Sequence, residues 1–182
     1  MGGDTTSSQD RIAINVTAIG RIARAKVKYR SGARENDIVY VTGYLGDSAQ
    51  GLLDIRSGVY DSPFVAVHHD PHPCVNEGIW LGNQPEVHAM MDISDGLASD
   101  LPHILEESET GAEISIERIP TRTTVELAVT GGEDYQLLLT VGAEAADRIA
   151  AEYVRHFGKP LYGIGRIRSG APDIIWSDNG EV

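Results

Sequence analysis

Two periodicities interleave along the 182 residues, and together they limit the fold more than any single motif. Residues 37–42, 87–91, 135–141, 161–167 and 174–176 are strand-length runs rich in β-branched and aromatic side chains. Between them lie helical patterns. Ala145, Ile149, Tyr153 and Phe157 recur every fourth residue, so residues 143–157 read as an amphipathic helix ended by Gly158. Leu97, Leu101, Ile104 and Leu105 share one side of another helix, expected to stop at Gly111, with Pro102 disturbing its first turn. A third opens at Gly46, Asp47 and Ser48, turns Ala49, Leu52, Leu53 and Ile55 one way and ends at Ser57 and Gly58. A short fourth begins near Val75 and carries Ile79 and Trp80 inward, while the proline-rich residues 61–73 read as a loop. Alternation of Ile12, Ile14, Val16 and Ala18 predicts an early strand, and Ile114 with Ile116 another, closed by Pro120. No strict βαβ repeat links these pieces. The expected fold class is therefore α+β, a mixed β-sheet flanked by helices.

Composition narrows the function. With 41% hydrophobic residues the chain has enough apolar material for a core, and a domain of this size buries roughly 70% of the surface its unfolded chain exposes. Fifteen Lys and Arg against 27 Asp and Glu give a net charge of −12, which repels nucleic acid and anionic lipid, so neither is an expected partner. Cys74 is the single cysteine and cannot form an intrachain disulfide, which fits a reducing, cytoplasmic setting. None of the apolar runs approaches the roughly 18 residues a membrane span needs. If so acidic a chain handles phosphates, divalent cations must offset its charge, which directs attention to carboxylates beside glycines.

Three stretches have that character. Gly2, Gly3, Asp4, Thr5 and Thr6 read either as a tail or as a turn where backbone meets phosphate and Asp4 meets a metal. Asp92, Ile93, Ser94, Asp95, Gly96 and Leu97 lie where a strand passes into a helix. There, first-turn amides and the helix dipole favour an anion and two acids suit its magnesium, or else Ser94 or Asp95 simply caps the helix. Gly131, Gly132, Glu133, Asp134 and Tyr135 precede a strand, either as a plain turn or as a place where carboxylates reach a cationic substrate. His68, His69, Asp70 and His72 lack helical ligand spacing and read as a solvated loop. Gly43, Gly46 and Gly51 lack the lysine of a phosphate loop and read as close packing. Ser48, Ser94 and Cys74 show no activated-nucleophile pattern, and Trp80 and Trp176 read as packing residues.

In order and spacing, GGDTT at 2–6, YVTGYLGDSAQGL at 40–52, MDISDGLASDL at 91–101 and GGEDYQLL at 131–138 resemble the thiamine-monophosphate kinase family. The wider superfamily includes aminoimidazole ribonucleotide synthetase, selenophosphate synthetase and the hydrogenase maturation dehydratase. The resemblance implies transfer of the ATP γ-phosphoryl group to thiamine monophosphate, giving thiamine diphosphate and ADP, with several Mg2+ ions and ATP as co-substrate. It also implies that Gly3, Asp4, Arg30 and Ser94 contact ATP, that Asp4, Asp92 and Asp95 hold metal, and that Glu133 faces the thiamine moiety. No residue is assigned as a catalytic acid or base, because the acceptor is already an anionic oxygen. By the same resemblance, residues 1–29 are expected to be the last strand and metal turn of an N-terminal ATP-binding domain. Residues 30–182 would be the C-terminal α+β domain, inactive alone, in a full-length protein expected to be a homodimer. An aminoimidazole ribonucleotide synthetase-like enzyme and a noncatalytic binding or assembly module are the alternatives.

Overall fold

A computed structural model of the chain describes residue 12 and residues 16–178. Its strands are β1 (Ile38–Val41), β2 (Val87–Asp92), β3 (Gly111–Ser115), β4 (Leu137–Val141), β5 (Tyr162–Arg168) and β6 (Ile174–Ser177). The helices are α1 (Asp47–Arg56), α2 (Pro63–His69), α3 (Val75–Gly82), α4 (Leu97–Ser108), α5 (Val125–Thr130) and α6 (Ala146–Phe157). The strands form one mixed sheet in the order β2-β4-β1-β5-β3-β6, antiparallel except for the β3–β6 pair. Mixed α+β architecture is thus what the interleaved periods produce.

Alternation along each strand sends side chains to two separate cores. Val39, Val41, Leu138, Ala112 and Ile114 face α4, whose Leu97, Leu101, Ile104 and Leu105 are all fully buried in that cluster. Tyr40, Leu139 and Val141 face the opposite way, against Ile149 and Tyr153 of α6 and Leu81 of α3. Each such apolar side chain contributes roughly 1.5–3 kcal/mol relative to exposure, so α4 and α6 hold the sheet from both sides. Where β2 pairs with β4 the register shifts between Val87 and Ala89, and Thr140 Oγ1 accepts the Ala89 N–H at 3.2 Å. The bulge therefore leaves no orphaned donor at that residue.

Several local expectations need correction. Ile12 and residues 16–20 are exposed and lie in no strand, and residues 13–15 fall outside the described residues. A period of two makes a strand only where a neighbour supplies hydrogen bonds and a face to pack on. Residues 61–73 are not all loop: Pro63 occupies the first turn of α2, and the Ser62 hydroxyl caps it by accepting from Phe64 N–H. In α1 the buried positions are Asp47, Ser48 and Gly51 rather than the leucines, because α2 crosses directly over Gly51. A Cβ there would sit 2.2 Å from the Phe64 carbonyl oxygen. Ile79 points outward at 63% exposure, and only Trp80 and Leu81 of that turn enter the core cluster. Helix α4 runs through Pro102, its sixth residue, which cannot donate to the Ala98 carbonyl, so the disturbance falls after the first turn; the helix ends at the left-handed Glu109 before Gly111 starts β3. Ile116 belongs to a 3-10 turn after β3.

Candidate functional site

Strand register places the acidic turn and the glycine pair at one end of the sheet. Asp92 pairs with Leu137, Val41 with Leu138, and Val41 with Tyr162, so the ends of β2, β4, β1 and β5 lie side by side at spacings of about 4.8 Å. Beyond Asp92 the chain is tied to the segment before β4. Ile93 N–H donates to the Gln136 carbonyl at 2.7 Å, Tyr135 N–H to the Ile93 carbonyl at 2.9 Å, and Glu133 N–H to the Ser94 carbonyl at 2.8 Å. Both segments need glycine for this approach: a Cβ on Gly132 would lie 2.6 Å from the Ser94 carbonyl oxygen, and Gly96 has φ 106°. Glu133 and Tyr135 adopt positive φ, at 64° and 50°, conformations that cost non-glycine residues of order 1–3 kcal/mol each. Strain of this kind concentrates at functional turns.

What these constraints present to solvent is a set of hard oxygen donors. Asp92, Asp95 and Glu133 are exposed, Ser94 is half-buried, and none of their side chains makes a hydrogen bond or ion pair among the described residues. Neither Ser94 nor Asp95 caps α4; Gly96 is the cap residue. Instead, the 2%-exposed Asp100 turns back from the first turn of α4, and its Oδ2 accepts from the N–H groups of Ser94, Asp95 and Gly96 at 2.9, 2.9 and 3.1 Å. An internal carboxylate thus occupies the amide of the cap residue Gly96 and the two before it, while the first-turn amides of Leu97 and Ala98 are not among its partners. Among the described residues no group of three or more His, Cys, Asp or Glu is gathered for a metal. Two free carboxylates suit magnesium, which usually keeps waters and takes its remaining oxygens from substrate phosphate.

The neighbouring carboxylate of the glycine-pair segment has a different task. Asp134 is buried and accepts from Gly46 N–H at 2.7 Å and Ser48 N–H at 3.1 Å, fixing the entry to α1. Burial pushes its carboxyl above the usual aspartate range, with the two amide bonds pulling the other way. Beside it opens a cleft of about 480 Å³ lined by Tyr44, Asp47, His72, Arg122, Lys159 and Tyr162. Asp47 pairs with Arg122, whose Nε lies 3.0 Å from Oδ2, and the hydrogen bond to Asp47 raises the Arg122 pKa further. Arg122 in turn lies over the Tyr44 ring at 4.9 Å, and Tyr44 stands 5.8 Å from Tyr162. Burial, reinforced by the Tyr44 hydrogen bond, pushes the Tyr162 hydroxyl up to about 12.

The structure thus brings Asp92, Ser94, Asp95 and Glu133 to one locus. Gly3 and Asp4 lie outside the described residues. Arg30 is not gathered with the others: its exposed side chain leaves a 3-10 turn on the outer edge of β2, and its carbonyl accepts from Ser108 Oγ at 2.8 Å. Ser108 ends α4, a helix of 12 residues and so roughly 17 Å from the acidic turn. Sequence reasoning passed over Asp100 and the Asp47–Arg122 pair, and it grouped Asp134 with Glu133 as carboxylates for a cationic substrate, whereas Asp134 is buried against the amides of Gly46 and Ser48. For Asp100 a signal existed, an acid in the first turn of a helix whose cap position holds glycine and so offers no side-chain acceptor. His68, from the histidine-rich stretch, accepts or donates one bond to Ser48 Oγ at 2.9 Å.

Comparison with known proteins places this geometry in context. The family model described as AIR synthase related protein, C-terminal domain, matches residues 34–176. The thiamine-monophosphate kinase of Bacillus subtilis (strain 168) is 36% identical over 183 residues, covering 92% of this chain and 56% of that protein. The crystal structure of thiamine-monophosphate kinase from Stenotrophomonas maltophilia K279a superposes with TM-score 0.74 at 28% identity, over 88% of this chain and 55% of that one. AaThiL complexed with AMPPCP and TMP gives TM-score 0.67 at 29% identity, over 84% and 51% of the two chains. The chain spans about half the length of the curated relatives it matches.

Proposed function

The chain belongs to the AIR synthase related protein C-terminal domain family, and from that premise we propose that it is the C-terminal part of a thiamine-monophosphate kinase. The reaction is transfer of the ATP γ-phosphoryl group to the phosphate of thiamine monophosphate, yielding thiamine diphosphate and ADP. One observation carries the reading: three exposed carboxylates, those of Asp92, Asp95 and Glu133, stand without a partner among the described residues, on two segments that are hydrogen-bonded backbone to backbone. Kinship with proteins named for this activity, one of them solved with AMPPCP and TMP, supplies the substrates.

In this proposal Asp92 and Asp95 hold Mg2+, which when bound neutralises phosphate charge as it shifts between donor and acceptor. The Ser94 hydroxyl, without a partner among the described residues, donates to a phosphate oxygen of ATP. Glu133 faces the cationic thiazolium ring, where a carboxylate is attractive at short range. Gly3, Asp4 and Arg30 belong to the nucleotide contacts, Asp4 also to the metal, and Arg30 at the far end of α4 meets a different part of the nucleotide from the acidic turn. No side chain is needed to deprotonate the acceptor, so positioning and electrostatics are the whole of the protein's contribution. Residues 1–29 are read as the end of an N-terminal ATP-binding domain and 30–182 as the C-terminal domain of a cytoplasmic, homodimeric enzyme. Among the described residues no helix is long and apolar enough to cross a membrane.

The test is phosphoryl transfer by the protein that contains this chain, with Asp92→Asn and Asp95→Asn variants. Each variant is expected to lose about 10- to 100-fold or more in kcat/KM, partly recovered by raising magnesium. Undiminished turnover would exclude the metal assignment. Thermal shifts with thiamine monophosphate against aminoimidazole ribonucleotides separate this reading from a ribonucleotide-activating relative.

A further inference from the structure

We propose that Asp100 is the positioning residue of the acidic turn, an inference that rests on the metal-binding reading of Asp92 and Asp95. A single carboxylate oxygen, on a residue only 2% exposed, receives three successive backbone N–H groups, from Ser94, Asp95 and Gly96, at 2.9–3.1 Å. Charge-assisted bonds of this kind are roughly twice as strong as neutral ones. Asp100 itself is anchored by its place in α4, between the fully buried Leu97 and Leu101. From the other side the same turn is held by the Glu133 N–H on the Ser94 carbonyl and by Ile93, 1% exposed, in the core.

Two consequences follow for the chemistry. The backbone on which Asp92 and Asp95 stand is fixed before any cation arrives, so little ordering entropy opposes coordination. The three amides that lead into α4, those of Ser94, Asp95 and Gly96, are closed to phosphate because an internal carboxylate fills them. A phosphate chain that reaches residues 94–96 is therefore held through cations and side-chain oxygens rather than through those amides, and Asp100 sets where the cations sit without touching them.

Manganese binding by the full chain, read from loss of the free-ion electron paramagnetic resonance signal, tests this together with hydrogen exchange at amides 94–96. Wild type is expected to bind Mn2+. Asp100→Ala should weaken binding about 10-fold or more and speed exchange at all three amides. Asp100→Glu, which keeps the charge but moves the oxygen by one methylene, should also weaken it about 10-fold. Asp100→Asn, whose carboxamide oxygen can accept the same three bonds, should stay within about 3-fold of wild type. A residue that merely supports the fold would lower thermal stability in Ala and Glu while leaving Mn2+ affinity unchanged, and that result overturns the proposal. Inorganic phosphate perturbing amides 94–96 of the wild type without metal would overturn it as well. Failure of the wild-type chain to bind Mn2+ at all is a separate outcome, which removes the metal reading and this inference with it.

Discussion

Asp100 and Asp134 each place a buried carboxylate against backbone amides where a loop enters a helix, yet their neighbours Asp95 and Glu133 stay exposed. At the glycine-pair segment the buried Asp134 lies between two residues of positive φ, Glu133 and Tyr135. For Asp134 the linkage to pH has a definite sign. Burial raises its folded pKa above the unfolded value, so the native state holds the proton more tightly, and this group's contribution to stability declines as pH rises through that window. Urea denaturation of wild type and Asp134→Asn between pH 3.5 and about 6 should show the wild type losing stability relative to the variant with rising pH. A constant difference across the range would contradict the assignment. Glu133 was recognisable from GGEDY, but nothing in the linear pattern distinguishes the carboxylate facing out from the one facing in.

Helix α4 connects core and turn, and its two ends can be tested separately. Leu101→Ala removes a fully buried side chain between helix and sheet and should cost about 2–5 kcal/mol by denaturant titration, with Mn2+ affinity of the folded fraction unchanged. Gly96→Ala should do the opposite. Its φ of 106° and ψ of 153° belong to a region nearly restricted to glycine, and a Cβ would come within 3.0 Å of the Gly131 carbonyl oxygen. The turn must shift, so Mn2+ binding falls at least about 10-fold while unfolding moves by only about 1–3 kcal/mol. Equal metal affinity in Gly96→Ala would mean the turn's shape is immaterial. The long helices and inner strands were legible because periodicity and burial agree there, as at Leu97, Leu101, Ile104 and Leu105. Helices α2 and α5 were not read because each is barely two turns, too short for a period, although Ser62–Pro63 and the Thr124 hydroxyl accepting from Leu127 N–H mark their starts. Pairing of the acidic turn with the glycine pair was illegible for another reason: the residues are some forty apart, and only strand register joins them.

On the scale of the molecule, one end of the sheet collects the free carboxylates and the cleft beside Tyr44 and Tyr162, while the two cores lie behind it. Matched relatives are nearly twice as long as this chain. Catalytic positioning is cooperative, so this polypeptide alone is expected to transfer phosphate at least about 100-fold more slowly than a full-length relative in a coupled ADP assay. Comparable rates would show that the carboxylates present here suffice. The most direct measurement is anomalous diffraction from crystals of the protein soaked with Mn2+ and a non-hydrolysable ATP analogue. The account predicts manganese peaks within about 2.0–2.3 Å of Asp92 and Asp95 carboxylate oxygens, with phosphate oxygens completing their shells. Manganese bound elsewhere, with Asp92 and Asp95 left in solvent beside a bound nucleotide, would contradict it.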